Sequence, residues 1–263
     1  MTNPLIQIRN LSIRFSGNPI LKNLEIDIEE GAYVSIIGPN GAGKTTLIKC
    51  LAGIHRDWQG TIHIAGKDSR KLSSRETARL QSYVPQAEGR TNPLTVEELV
   101  ATGRYPHLSA FTSMKKEDVA AIDAALDQTG MQAFRKRPLN ALSGGERQMA
   151  FIAAALAQDT KTLLLDEPST FLDYKHQAEV SAILRNACRV QGKTIVAVHH
   201  DINLAAACSS KVIALKEGEI VFTGSAEEAT DTRVLSRIYD TPFISSPSPA
   251  HPLPLIITGG PEA

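Results

Sequence analysis

The stretch Gly38-Pro39-Asn40-Gly41-Ala42-Gly43-Lys44-Thr45-Thr46 constrains this chain more than any other. An apolar run (Tyr33, Val34, Ile36, Ile37) precedes it and a helical pattern (Leu47, Ile48, Leu51) follows it. Strand, glycine-rich loop and helix, in that order, is the setting in which a phosphate-binding loop (P-loop) forms. Gly38, Gly41 and Gly43 let the backbone turn successive N–H groups inward on a phosphate chain. The helix that opens at Gly43 adds the positive end of its dipole. Lys44 is placed to reach the β- and γ-phosphates, and the Thr45 hydroxyl to ligate Mg²⁺. The chain is therefore expected to bind a nucleoside triphosphate.

The rest of the pattern describes an α/β protein. Ile6, Ile8, Leu11, Ile13 and Phe15 nearly alternate with polar residues, and Leu24, Ile26 and Ile28 do so strictly, which predicts half-wet antiparallel strands over residues 5–37. Thr61 to Ala65 continues that flank. Thr162–Leu165 and Thr194–Val198 are unbroken apolar runs, as parallel strands covered on both faces require. Between them, residues from about 90 to 158 read as an inserted helical subdomain. Thr95 and Glu98 form a capping box for a helix ending near Gly103. Val119, Ile122, Ala125 and Leu126 mark a second helix stopped by Gly130, and a third runs from Gly144 to about Ala157. A short helix over Asp201–Ala207, a hairpin around Glu217-Gly218 and a helix over 225–240 complete a domain of residues 1–240. Six prolines between Pro242 and Pro261 forbid helix and discourage sheet, so residues 241–263 are expected to form an extended or mobile tail.

Composition narrows the partners. With 28 basic and 28 acidic residues among 263, no overall basic field draws the chain to nucleic acid. Cys50, Cys188 and Cys208 have neither metal-like nor CxxC spacing, which fits buried thiols in a reducing compartment. The N-terminus lacks the basic-then-apolar pattern of a signal peptide. The longest apolar run, Met149–Ala157, is far short of a membrane span. Any membrane role is expected to come through a partner.

Two further stretches carry chemistry. Asp166 and Glu167 end a buried strand, where an α/β sheet presents its ligands. Asp166 is placed to hold Mg²⁺ opposite Thr45, and Glu167 to orient a water toward the γ-phosphate. In Leu142-Ser143-Gly144-Gly145-Glu146-Arg147-Gln148, Ser143 caps a helix and Glu146 closes the box. Gly144 and Gly145 leave the backbone N–H groups of the first turn open to an anion, at a cost in helix propensity of about 1 kcal/mol each.

This stretch resembles the signature motif of ABC-type ATPases, and the accompanying motifs follow in that family's order. They are the P-loop, a Q-loop-like Gln86, the signature, Asp166-Glu167, a D-loop-like Ser169–Asp173 and a histidine after a strand. The resemblance covers about residues 5–240. It implies a P-loop NTPase core with an antiparallel β flank and an inserted helical subdomain, and hydrolysis of ATP with Mg²⁺. It also implies two chains head to tail, with each ATP held between one P-loop and the partner's Ser143, Gly144, Gly145 and Glu146. Glu167 would polarise the attacking water, and Gln86 would touch Mg²⁺ and water. Phe15 lies where the family stacks an aromatic on adenine. His200, followed by Asp201, fits the switch histidine, with His199 as the alternative.

No membrane segment is fused to the chain, so the resemblance implies separate integral permease subunits and an ATPase bound peripherally at the cytoplasmic face of the inner membrane. A periplasmic or extracellular solute-binding protein would act with it indirectly. Thr95–His107, with its Gly103-Arg104-Tyr105-Pro106, is similar to ATPases serving ferric-siderophore, haem and cobalamin uptake. A soluble ATPase of the same family acting on nucleic acid or ribosomes is the alternative; tandem halves, a long coiled-coil insert and basic arms, which such proteins carry, are absent from this sequence.

Overall fold

The computed structural model describes residues 4–86, 93–109, 113–170, 172–248 and 252–259; Phe171, in the D-loop-like stretch, lies outside them. β1 (Ile6–Phe15) and β2 (Asn18–Ile28) pair antiparallel, Ile6 opposite Ile28 and Ile8 opposite Ile26. Their aliphatic side chains share one face and leave the other to water. β3 (Tyr33–Ile37) is buried along its whole length and delivers the chain into the Gly38–Gly43 loop and α1 (Lys44–Leu51). β4 (Gln59–Ile64) pairs with the other edge of β1 and β5 (Lys67–Asp68) follows, giving a flank ordered β2-β1-β4-β5.

α2 (Ser74–Leu80) starts at a capping box between Ser73 and Glu76 and leads directly into β6 (Gln81–Val84). The helical block follows as α3 (Val96–Thr102), α4 (Lys116–Gln128) and α5 (Gly144–Ala157). Ile122, Ala125 and Leu126 are buried, but Val119, expected on the same face, is 43% exposed. Asp118 takes the inward place beside it. Its carboxylate accepts from Arg104 Nε at 3.0 Å, and Arg104 Nη1 also donates to the Ala157 carbonyl at 2.7 Å. The Pro106 carbonyl accepts from Arg75 Nε at 3.0 Å and Arg79 Nε at 2.9 Å, which ties the end of α3 to α2.

β7 (Thr162–Asp166), α6 (Tyr174–Arg189), β8 (Thr194–Val198), α7 (Ile202–Cys208), β9 (Lys211–Lys216) and β10 (Glu219–Gly224) complete the main sheet, ordered β10-β9-β3-β8-β7-β6. It is parallel from β9 to β6, with β10 antiparallel at the edge. Alternate residues of its strands feed opposite cores. Leu164, Val196 and Val198 pack with the flank and α1; Leu163, Leu165, Ile195 and Ala197 pack with the helical block and α6. Double coverage explains why these strands are continuously apolar.

Two C-terminal expectations are corrected. The single helix over 225–240 is two, α8 (Ala226–Ala229) and α9 (Thr232–Tyr239), because the Asp231 carboxylate accepts from the Arg233 N–H and starts a new helix. The tail is not merely extended: β11 (Phe243–Ser246) and β12 (Leu255–Thr258) pair antiparallel, and Ile256 is buried in one core with Ile37, Ala205 and Ile238. Pro242 and Pro247 bracket the first strand, and Pro252 and Pro254 precede the second. Proline is costly inside a ladder and harmless at its ends, so this density does not prevent a hairpin.

Candidate functional site

Five parallel strands end on one side of the sheet, and the residues that follow β3, β6, β7 and β8 meet there, as open α/β sheets place their ligand sites. After β3, Asn40 to Thr46 wall a cleft of about 310 Å³, with Ile20 and Glu167 on its rim. Gly38 has φ 138, and a Cβ there would lie 2.0 Å from the Leu215 carbonyl oxygen; glycine is the residue this close, left-handed approach to β9 admits. Gly43 caps α1 at φ 99. Pro39 and Gly38 turn their carbonyls to Lys44, whose Nζ donates to them at 2.9 and 2.8 Å. Burial holds the Lys44 ammonium below its ordinary pKa, opposed by Glu167 and Asp166.

At the end of β7, Asp166 accepts from the Thr45 hydroxyl at 2.9 Å. Burial raises the Asp166 carboxyl, with the Thr45 hydrogen bond opposing the shift. Hydroxyl and carboxylate oxygens side by side are a donor set for a hard divalent cation. The next residue, Glu167, adopts φ 54, a conformation uncommon for a side-chain-bearing residue and concentrated at functional sites. Its carboxylate accepts from Gln86 Nε2 at 2.8 Å and Thr170 Oγ1 at 3.2 Å, and pairs with His200 Nε2.

His199 and His200 part company at the end of β8. His199 is 3% exposed, its ring stacked on Tyr33 at 6.4 Å between centroids, and burial lowers its pKa to about 4. His200 turns toward the cleft and reaches Glu167. Phe15 ends β1 half-exposed, edge-on to His55 at 5.0 Å, and is not among the residues that wall the cleft.

Ser143, Gly144, Gly145 and Glu146 do not line this cleft either. Ser143 caps α5 by accepting from the Glu146 N–H at 3.3 Å, while the Glu146 carboxylate accepts from the Ser143 N–H at 2.7 Å and is held below its usual pKa mainly by that bond. The two glycines differ. Gly144 is exposed with nothing within 4 Å of where a Cβ would stand; Gly145 is buried, and its Cβ would lie 2.6 Å from His176 Cγ. Close packing on α6 accounts for Gly145, a reason visible only once α6 is in place. Thr170, inside the D-loop-like Ser169–Asp173, and His176, three residues beyond it, make contacts with Glu167 and Gly145 that the sequence pattern did not assign to them.

A P-loop cleft edged by Glu167, with the capped end of α5 standing outside it, is the arrangement of an ATP-binding cassette. The chain belongs to the ABC transporter family, whose sequence model matches residues 21–170. It is 39% identical over 250 residues to the iron(3+)-hydroxamate import ATP-binding protein FhuC of Bacillus subtilis, covering 94% of this chain and 93% of that one. It is 37% identical to the ferric enterobactin transport ATP-binding protein FepC of Escherichia coli, covering 99% and 97% of the two. Among solved structures it is similar to a metal-chelate type ABC transporter in an inward-facing conformation, with TM-score 0.86, 26% identity and 98% of both chains covered. It is also similar to the dimeric cassette MJ0796 bound to ADP and Pi, with TM-score 0.72, 25% identity, and 84% and 98% of the two chains covered.

Proposed function

We propose that the chain is the ATP-hydrolysing subunit of an importer that takes up an iron(III)-siderophore or a related metal chelate through separate integral membrane permease subunits. The observation that carries the ATPase reading is the convergence of Gln86, Thr170 and His200 on Glu167 at the rim of the P-loop cleft. The names of the FhuC and FepC relatives support the solute class.

The triphosphate lies on the N–H groups of residues 40–46, and Lys44 exchanges its own loop's carbonyls for phosphate oxygens. Phe15 stacks on the adenine. Glu167 orients and polarises the attacking water, His200 fixes the carboxylate, and Gln86 links it to the helical block. Thr45, Asp166 and Gln86 would hold Mg²⁺, which when bound neutralises charge on the phosphates.

The open end of α5 lies outside the chain's own cleft, which supports a second copy packed head to tail, its Ser143, Gly144, Gly145 and Glu146 meeting the γ-phosphate. ATP would close such a dimer and hydrolysis reopen it, working the permease. No helix among the described residues is long and apolar enough to cross a membrane, so the subunit would attach peripherally to the permease at the cytoplasmic face, with a solute-binding protein acting from the other side.

The test is reconstitution with the permease and binding protein in liposomes. ATPase activity is expected to rise with a ferric siderophore, to exceed the response to haem or cobalamin, and to vanish in Glu167→Gln. Hydrolysis unaffected by that substitution would remove Glu167 from its role; a response to none of the solutes would end the importer assignment.

A further inference from the structure

The C-terminal segment, α9 with the β11–β12 hairpin packed on its end, reaches the nucleotide machinery at two points. The first is the loop itself. The Gly38 N–H donates to the Tyr239 hydroxyl at 3.1 Å, and Tyr239, the last residue of α9, packs edge-on against Phe243 of β11 at 5.8 Å between centroids. Burial raises the Tyr239 phenol to about 12, so it stays a neutral hydroxyl. The second contact is on α7, the helix that Asp201 caps immediately after His200. The Asn203 side chain grips the backbone of Ile256 in β12, donating from Nδ2 to its carbonyl at 3.0 Å and accepting its N–H at 2.7 Å. That two-bond grip mimics a strand pairing and fixes β12 to α7.

Between these ends the connection is continuous. β12 pairs with β11, Phe243 opposite Thr258 and Ser245 opposite Ile256, and the Gly259 N–H donates to the Pro242 carbonyl at 2.8 Å. The end of α9 is held in turn by Lys216, whose Nζ donates to the Arg237 carbonyl at 2.8 Å and Asp240 at 2.6 Å.

From this geometry we infer that Tyr239 is a positioning residue for the P-loop and that the hairpin straps it to the segment bearing the switch histidine. The physical need lies in Lys44. Its Nζ donates to the Gly38 and Pro39 carbonyls. A lysine shared with phosphate oxygens would hold those carbonyls less firmly, whereas the Tyr239 bond reaches the Gly38 N–H from outside the loop and does not depend on Lys44. Through Asn203, the same strap makes the loop's position depend on where α7 and His200 stand. This rests on nucleotide binding at the P-loop, which the unsubstituted protein tests separately.

The experiment measures the affinity of the full-length protein for a fluorescent ATP analogue with Mg²⁺. It compares the unsubstituted chain with Tyr239→Phe, Asn203→Leu and the double variant, and follows thermal unfolding without nucleotide alongside. Failure of the unsubstituted chain to bind would refute the ATPase reading and, with it, this inference. Given that binding, Tyr239→Phe keeps the ring against Phe243 and is expected to weaken affinity about tenfold, as loss of one bond to a partly buried N–H implies. Asn203→Leu is expected to weaken it severalfold, and the double variant to lose little more than Tyr239→Phe alone, since both act through one strap. Unchanged affinity in Tyr239→Phe would overturn the positioning role. Asn203→Leu that lowers only the unfolding temperature, or whose effect adds fully to that of Tyr239→Phe, would overturn the strap.

Discussion

Gly144 and Gly145 stand side by side in the first turn of α5, and replacing each with alanine separates packing from function. A Cβ on Gly144 meets no atom within 4 Å. Alanine there relieves the chain-entropy cost of glycine in a helix, about 0.5–1 kcal/mol. Gly144→Ala should therefore fold normally and melt about 1–4 °C higher. A Cβ on Gly145 would instead lie 2.6–2.8 Å from His176 Cγ, Cδ2 and Nδ1. The ring must move, and with it the His176 Nδ1 contact to Asp173 at 2.8 Å. Overpacking of this kind costs about 1–3 kcal/mol, so Gly145→Ala should melt lower. Calorimetry of both variants measures this pair of signs. The functional expectation for Gly144→Ala is opposite to its stability: a methyl on the open helix end crowds the approach of a partner's γ-phosphate. ATPase activity should fall at least about tenfold, short of the roughly 10²–10³-fold cost of losing an oxyanion donor outright because the N–H groups remain, with nucleotide affinity of the single chain unchanged. A more stable Gly144→Ala that hydrolyses ATP at the normal rate would refute the argument that this helix end is kept bare for phosphate.

Two further outcomes follow from buried groups. Asp118→Ala leaves the Arg104 guanidinium, 10% exposed as a side chain, without its carboxylate; it should cost about 3–5 kcal/mol in urea unfolding, against under 1 kcal/mol for an exposed pair such as Lys175–Glu179. His199 titrates at about 4 when folded and near 6.5 when unfolded. Between those values the unfolded chain binds the extra proton, so stability rises with pH there and is lost as pH falls. The wild type should lose about 2 kcal/mol between pH 7.5 and 5 through this group, and His199→Gln should remove that slope.

Much of this was legible because the signals were local. The caps at Thr95 and Ser143 set the starts of α3 and α5, and the end of α5 at Ala157 matches its apolar pattern. Burial on both faces made β7 and β8 readable as parallel strands. The helix α6 has an Asp173 cap and a Val180, Leu184, Ala187 and Cys188 face, but its cap is also the last residue of the D-loop-like Ser169–Asp173, so the start of the helix does not stand apart in the sequence. Ser73 and Glu76 carried a capping box for α2 in the same way. Val119 faces solvent and Asp118 the interior because the burial of Asp118 depends on Arg104, 14 residues away in sequence, which apolar periodicity does not register. The hairpin of residues 243–258 and the bond from Gly38 to Tyr239 are long-range contacts that periodicity and turn residues do not encode. For the site, the P-loop, Asp166 and Glu167 stood out by spacing. The separation of His199 from His200 needed the end of β8, since both follow the same strand.

The central claim is that one chain holds half of a hydrolytic site, and the state of association with ATP tests it most directly. Glu167→Gln is to be weighed by light scattering during size exclusion, with ATP and Mg²⁺, alone and combined with Ser143→Arg. The account predicts a dimer retaining ATP for Glu167→Gln, and a nucleotide-bound monomer once Ser143→Arg is added. An ATP-bound Glu167→Gln monomer, or a dimer indifferent to Ser143→Arg, would contradict it.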